Sequence, residues 1–177
     1  MNKDMTVPCA DGIINIRVGA IIMKNGKLLM VGGDGADYLV SVGGRVKFGE
    51  TAEESIIREV EEETGVRLEI DRLAFVHENY YYGDVPSKQD KLVYELSFFF
   101  LMKVPDGFEP ISYSFMESNS REYLCWVAPD AEKNIYPSVF RTLSAGVPDG
   151  VQHSVTDETR KRRLVPYLHK AVHHAER

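Results

Sequence analysis

The chain has 177 residues and a mass of 20.0 kDa, a size at which one domain buries about 70% of its unfolded surface without disulfide or metal support. Hydrophobic residues at 44% and charged residues at 27% exclude a mostly disordered chain. With 27 acidic against 21 basic residues the net charge is −6, which argues against non-specific nucleic-acid binding. An anionic substrate stays open, because a divalent cation can reverse the local field.

From Ile13 to Met23 the chain is rich in Ile and Val, and Asn25-Gly26 precedes the apolar run from Leu28 to Val31. An Asn-Gly pair between two such runs predicts a hairpin, since both central residues must tolerate positive φ. Tyr38 to Val42 reads as a short strand ending at Gly43-Gly44. Thr51 to Thr64 is the clearest helix: Thr51 and Glu54 have capping-box spacing, and Gly65 stands where a left-handed cap belongs. Strands are expected from Leu68 to Val76, running on toward Tyr82, and from Leu92 to Val104, with a turn at 83–91. Tyr123 to Val127 is a shorter strand and Pro137 to Ala145 a helix. This order lacks a regular βαβ alternation, which predicts an α+β fold with a mixed sheet. The expected division is an extension over 1–12, a domain over 13–150 and a tail over 151–177. In the tail, Arg160-Lys161-Arg162-Arg163 leads into a basic amphipathic helix carrying Leu164, Leu168 and Val172. Cys9 and Cys125 are the only cysteines and their spacing suits neither a disulfide framework nor a zinc finger. Met1-Asn2-Lys3-Asp4 opens no apolar leader, and the longest apolar runs are too short to span a bilayer. A cytoplasmic setting without a membrane partner is expected; monomer and homodimer both stay open.

The helix carries the chemistry. At about 100° per residue, with Ala52 at zero, Ile56, Val60 and Ile57 fall at about 40°, about 80° and about 140°. Glu63 then lies at about 20°, inside the apolar arc, and Glu59 at about 340°, on its border. A solvated face explains Glu53, Glu54 and Glu61, but not these two. Glu59 repels Glu62 and Glu63 at i,i+3 and i,i+4, each pair costing roughly 0.2–0.5 kcal/mol. All three crowd the negative end of the helix dipole, at about 0.3–1 kcal/mol each. Such strain at a buried edge points to a bound cation, and clustered carboxylate oxygens suit Mg²⁺ or Mn²⁺.

Gly44, five residues, Glu50, seven residues, then Arg58-Glu59-Val60-Glu61-Glu62-Glu63-Thr64-Gly65-Val66 resembles the signature box of Nudix hydrolases at every defined position. The surrounding elements resemble the family's order over about residues 13–146. The resemblance implies an α/β/α sandwich and hydrolysis of a pyrophosphate linkage in a nucleoside diphosphate derivative, by attack of water at phosphorus. It implies Glu59, Glu62 and Glu63 as metal ligands, one of them also serving as base, with the Gly43 carbonyl completing the site. Arg58 and Glu50 resemble the pair that orients those carboxylates. Read without the family, Arg58 forms a surface salt bridge with Glu54 or Glu62. One departure is Ser41-Val42 before the double glycine, where many members have Pro.

Arg45 and Lys47 can meet a phosphate, or be solvated loop charges. Tyr80-Tyr81-Tyr82 stands where some dinucleoside-polyphosphate hydrolases of the family carry a Tyr. Alternation puts Tyr80 and Tyr82, the substrate candidates, on one face and Tyr81 on the other, with core packing favoured for at least one side and base stacking open for the other. His77 can contact substrate or be a strand histidine satisfied by a neighbour. His169 and His173 have metal spacing but no acidic partner, and Cys125 beside Trp126 reads as core. A further metal ligand is expected downstream, at Glu122 or Glu117, with Glu122 preferred because it adjoins a strand. The substrate is expected to be a small nucleotide derivative rather than a nucleic-acid polymer. The alternative is a Nudix-fold module that binds a nucleotide and regulates without turnover.

Overall fold

The computed structural model describes residues 4–34, 36–83, 89–111, 113–115 and 121–159. Glu117, the basic stretch 160–163 and the two tail histidines lie outside them. In chain order the elements are β1 (Thr6–Cys9), β2 (Gly12–Ile21), β3 (Met23–Lys24), β4 (Lys27–Gly33), β5 (Tyr38–Ser41) and β6 (Gly43–Arg45). Helix α1 (Ala52–Thr64) follows, then β7 (Glu69–Tyr82), β8 (Leu92–Lys103), β9 (Tyr113–Phe115), β10 (Arg121–Val127) and β11 (Asn134–Tyr136). A 3₁₀ helix (Ser138–Ala145) and β12 (Gln152–Asp157) complete the described chain.

The strands form two mixed sheets. The first has the order β1-β2-β8-β7-β12, with β6 also on β2; the second has the order β11-β5-β4-β10-β9, with β3 on β4. In the first, β2 runs parallel to β8 and β12 parallel to β7, whereas β7 and β8 are antiparallel. The expected α+β class with mixed sheets is what the chain adopts.

Local chemistry accounts for the junctions. Asn25 (φ 53°) and Gly26 (φ 74°) make the turn between β3 and β4, as the Asn-Gly pair predicts. At the start of α1, Thr51 Oγ1 accepts from the Glu54 N–H at 3.1 Å and Glu54 Oε2 accepts from the Thr51 N–H at 2.8 Å. At its end Gly65 is left-handed (φ 71°) and its N–H reaches the Glu61 carbonyl. The helix lays Ile56 and Val60 on a core with Val18, Ala20, Leu29, Val31, Phe100 and Met102. A second core gathers Ile21, Leu28, Met30, Leu39, Phe75 and Phe99 with Phe140 and Leu143 of the 3₁₀ helix.

Two elements differ from expectation. Residues 138–145 are 3₁₀ rather than α. Only Phe140 and Leu143 of this turn are buried, and their i,i+3 spacing is the repeat of a 3₁₀ helix. The hydroxyls of Thr142 and Ser144 also donate to carbonyls three residues back, which competes with α geometry. The second difference is β12. Within the segment expected as a tail, residues 152–157 pair with residues 75–80 of β7, whereas the helix expected around Leu164, Leu168 and Val172 lies outside the described residues. Gln-His-Ser-Val-Thr-Asp has one large apolar residue, Val155, and it is exposed. Backbone pairing at a sheet edge holds this strand, so no hydrophobic alternation announces it. Among the described residues no helix is long and apolar enough to cross a membrane.

Candidate active site

The glutamates of α1 meet the double glycine across a close approach. Gly43 has φ 141°, and a Cβ there would lie 2.3 Å from the Val18 carbonyl oxygen. A Cβ on Gly44 would lie 2.4 Å from Cδ of Glu59. Any side chain at either position would push β6 away from β2 or from the helix, so the Gly-Gly pair is what lets the carboxylates reach the strand.

Arg58 organises this edge. Its Nε and Nη2 donate to Glu50 Oε1 and Oε2 at 2.8 and 2.9 Å, a bidentate pair. Its Nη1 donates to Glu59 Oε1 at 2.6 Å and to Glu62 Oε2 at 3.2 Å, and Nη2 also reaches Ser55 Oγ. The guanidinium therefore ties loop residue Glu50 to two helix carboxylates, well beyond a simple i,i+4 surface pair. Glu50 is held down at about 2, first by the Arg58 hydrogen bonds, and Arg58 is raised by the same contact.

Glu63 is the strained member. Its Oε1 accepts from the Gly43 N–H at 3.3 Å, while Oε2 is buried with no hydrogen-bond partner. Burial pushes its carboxyl up to about 8, opposed by the Gly43 hydrogen bond and reinforced by the charges of Glu59 and Glu122. Glu122 on β10 thus acts on Glu63 through space, from a strand far away in sequence. Glu59 is mostly covered (side chain 14% exposed), whereas Glu62 is 55% exposed. Among the described residues no three His, Cys, Asp or Glu side chains are gathered closely enough to hold a metal ion by themselves.

A model of the NUDIX domain matches residues 14–143. The chain belongs to the Nudix family. Solved structures agree on the fold. The MutT NUDIX hydrolase from Burkholderia pseudomallei is 25% identical with TM-score 0.55, over 76% of this chain and 98% of that one. A mutator MutT protein from Bacillus halodurans is 17% identical with TM-score 0.60, over 83% and 92%. An ADP-ribose pyrophosphatase from Streptococcus suis 89-1591 is 15% identical with TM-score 0.52, over 80% and 98%. Among curated proteins none matches. This chain is therefore a Nudix-type enzyme, of a family that generally uses divalent metals on small nucleotide-derived substrates.

Other expected contacts of the Nudix site are distributed differently. Arg45 is not a free loop charge: its Nη1 pairs with Asp4 Oδ2 at 3.2 Å and its carbonyl accepts from Ser55 and Arg58. Lys47 contributes its backbone N–H to Glu50 Oε2. Tyr80 and Tyr82 share the face of β7 opposite to His77, Asn79 and Tyr81, and Tyr80 packs its ring on Tyr94 at 4.9 Å. It is Tyr81 that shares the face toward the site, donating to Glu95 Oε2 at 3.3 Å. Cys125 and Trp126 pack against the two cores, as expected.

Beside the carboxylates, between the sheets, lies a cavity of about 150 Å³ lined in part by Arg17, His77, Asn79, Glu95, Tyr136 and Glu158. His77 is buried, with Nδ1 2.8 Å from Ser154 Oγ, and burial lowers its pKa. Arg17, Asn79 and Glu95 were not singled out by sequence reasoning. A signal existed for Arg17 and Glu95: Arg17 is the one charge of β2, and Glu95 is the one charge of β8 before its terminal Lys103.

Proposed function

We propose that this chain hydrolyses the pyrophosphate linkage of a small nucleoside diphosphate derivative, by attack of water at phosphorus, with Mg²⁺ or Mn²⁺ held at the α1 edge. The observation that carries the reading is Glu63: a carboxylate oxygen buried without a partner, beside Glu59 and within electrostatic reach of Glu122. Burying a carboxylate this way is costly unless a countercharge arrives. The donor set is all oxygen, which fits a hard divalent cation. Glu59 and Glu63 would hold it, with Glu62, the Gly43 carbonyl and Glu122 as further ligands.

Such a cation supplies polarisation of phosphate oxygens and acidification of bound water. The protein's own part is positional. Arg58 fixes the Glu59 carboxylate by a charge-assisted bond, and Glu50 fixes Arg58 from behind. The Gly43 N–H sets the rotation of the Glu63 carboxylate. A carboxylate of this group takes the proton of the attacking water. Arg17 bears on the Glu63 charge and would offer its cation to the phosphate oxygens.

The test is release of phosphate or nucleotide from a panel of nucleoside triphosphates, nucleotide sugars and dinucleotides, with EDTA, Mg²⁺ or Mn²⁺. Turnover with metal and none in EDTA supports the proposal. Saturable nucleotide binding without turnover across the panel would replace it with the regulatory reading.

A further inference from the structure

We propose that the cavity between the sheets takes the amino-bearing edge of a guanine base, and that β12 is the strand that completes it. The proposal deepens the hydrolase reading and rests on it only for which end of the substrate faces the glutamates.

Size comes first. A cavity of about 150 Å³ holds roughly one benzene-sized ring, whereas whole drug-sized ligands occupy roughly 300–1,000 Å³. One six-membered ring of a base fits, with the sugar and phosphates left outside. Val18 and Phe99 of the first sheet, Val40 and Tyr136 of the second and Pro137 just after it give it apolar walls, as stacking on a flat ring requires.

Polarity then selects the ring. Strand register puts Ser154, His77, Ser97 and Arg17 in one row, and Thr156, Asn79 and Glu95 in the next. Arg17 acts electrostatically on both Glu63 and Tyr81 and pairs with Glu95 Oε2 at 4.0 Å, so its charge is already matched within the cavity. Acceptors line the rest. Asn79 Oδ1 is buried with no hydrogen-bond partner. Glu95 Oε2 receives Asn15 Nδ2 at 2.9 Å and the Tyr81 hydroxyl at 3.3 Å besides its pairing with Arg17, and Glu158 also lines the cavity. His77 adds no cation, because burial favours its neutral form. A pocket rich in acceptors calls for a ring edge rich in donors. Guanine presents its ring N1–H and exocyclic amine side by side. Uracil presents one N–H between two carbonyls, which would face these acceptors unfavourably.

The wall that β12 brings lies outside the family-matched residues 14–143. Thr156 and Glu158 line the cavity from there, and Ser154 anchors His77. His153 pairs with Glu78 on the other face of β7 at 2.7 Å, fixing the register of the strand. Ring recognition in this chain thus depends on a segment that the Nudix box does not contain.

The experiment is calorimetric titration of the full chain with GMP and with UMP in EDTA. The two ligands share the same phosphate charge, and neither metal nor turnover enters. GMP should bind roughly ten- to a hundredfold tighter than UMP, the size of one bidentate base contact. Asn79→Leu should remove that preference and Asn79→Asp should retain it. Thr156→Arg, on an edge strand, should block both ligands, with thermal melts confirming that each variant folds. Equal or tighter binding of UMP would overturn the guanine assignment. A GMP preference that survives both Asn79→Leu and Thr156→Arg would place the base elsewhere. Failure of the hydrolase reading would appear separately, as absent turnover with metal, and would leave these titrations unchanged.

Discussion

Replacing Glu63 with Gln should stabilise the metal-free protein in alkali and change it little in acid. Burial raises this carboxyl from 4.5 to about 8, so the folded state binds its proton more tightly than the unfolded chain does. The group's contribution is complete below pH 4.5 and is lost as pH rises through about 8. At about 1.4 kcal/mol per pH unit, that interval sets a ceiling of about 5 kcal/mol. Relaxation around the charge reduces this to an expected 2–4 kcal/mol, roughly. Gln keeps an acceptor for the Gly43 N–H and never ionises. Urea unfolding in EDTA should therefore show the variant ahead of wild type by about 2–4 kcal/mol at pH 9 and by less than about 1 kcal/mol at pH 5. Saturating Mg²⁺ should narrow or reverse the difference at pH 9, because it binds only the folded wild-type site well. Parallel pH profiles for the two proteins in EDTA would refute the picture of an uncompensated buried carboxylate.

Glu59→Gln and Glu63→Gln should each lower kcat by about a hundredfold or more, the size expected when several kcal/mol of charge stabilisation is lost. Glu61→Gln should change kcat less than about twofold, since its side chain pairs outward with Arg67; equal losses at Glu61 and Glu59 would mean that the wrong helix face has been assigned. Arg58→Lys should weaken Mn²⁺ affinity by about 10- to 100-fold, because an ammonium cannot bridge Glu50 bidentately while holding Glu59; an unchanged Mn²⁺ titration would contradict the orienting role. Thr51→Ala should cost about 1 kcal/mol in urea unfolding through loss of the cap on α1, with the KM for nucleotide unaffected.

The helix and its chemistry were readable because they obey local rules. Caps at Thr51 and Gly65 fixed its ends, and angular arithmetic put Glu63 inside the apolar arc and Glu59 on its border, and Glu63 indeed has a solvent-free oxygen. The hairpin at Asn25-Gly26 was legible for the same reason. What escaped is held by pairing between distant strands. Arg58 reaching back to Glu50 was only implied by resemblance, and the ring contact of Tyr80 with Tyr94 depends on the register of β7 against β8. Alternation correctly put Tyr80 and Tyr82 together but could not say which face looks into the cavity. β12 lay hidden because an exposed edge strand needs no apolar pattern. The cavity needed all of these at once: its floor combines β2, β7, β8 and β12, a row of residues that no single window of sequence contains.

The central claim is that the Glu59–Glu63 edge of α1 holds the divalent cation on which hydrolysis depends. Electron paramagnetic resonance titration of Mn²⁺ into wild type, Glu63→Gln and Glu61→Gln tests it directly, since free Mn²⁺ is read without any substrate. The account predicts saturable binding in wild type and in Glu61→Gln, and its loss or a tenfold or greater weakening in Glu63→Gln, roughly the effect expected at a ligand position. Indistinguishable titration curves for wild type and Glu63→Gln would contradict it.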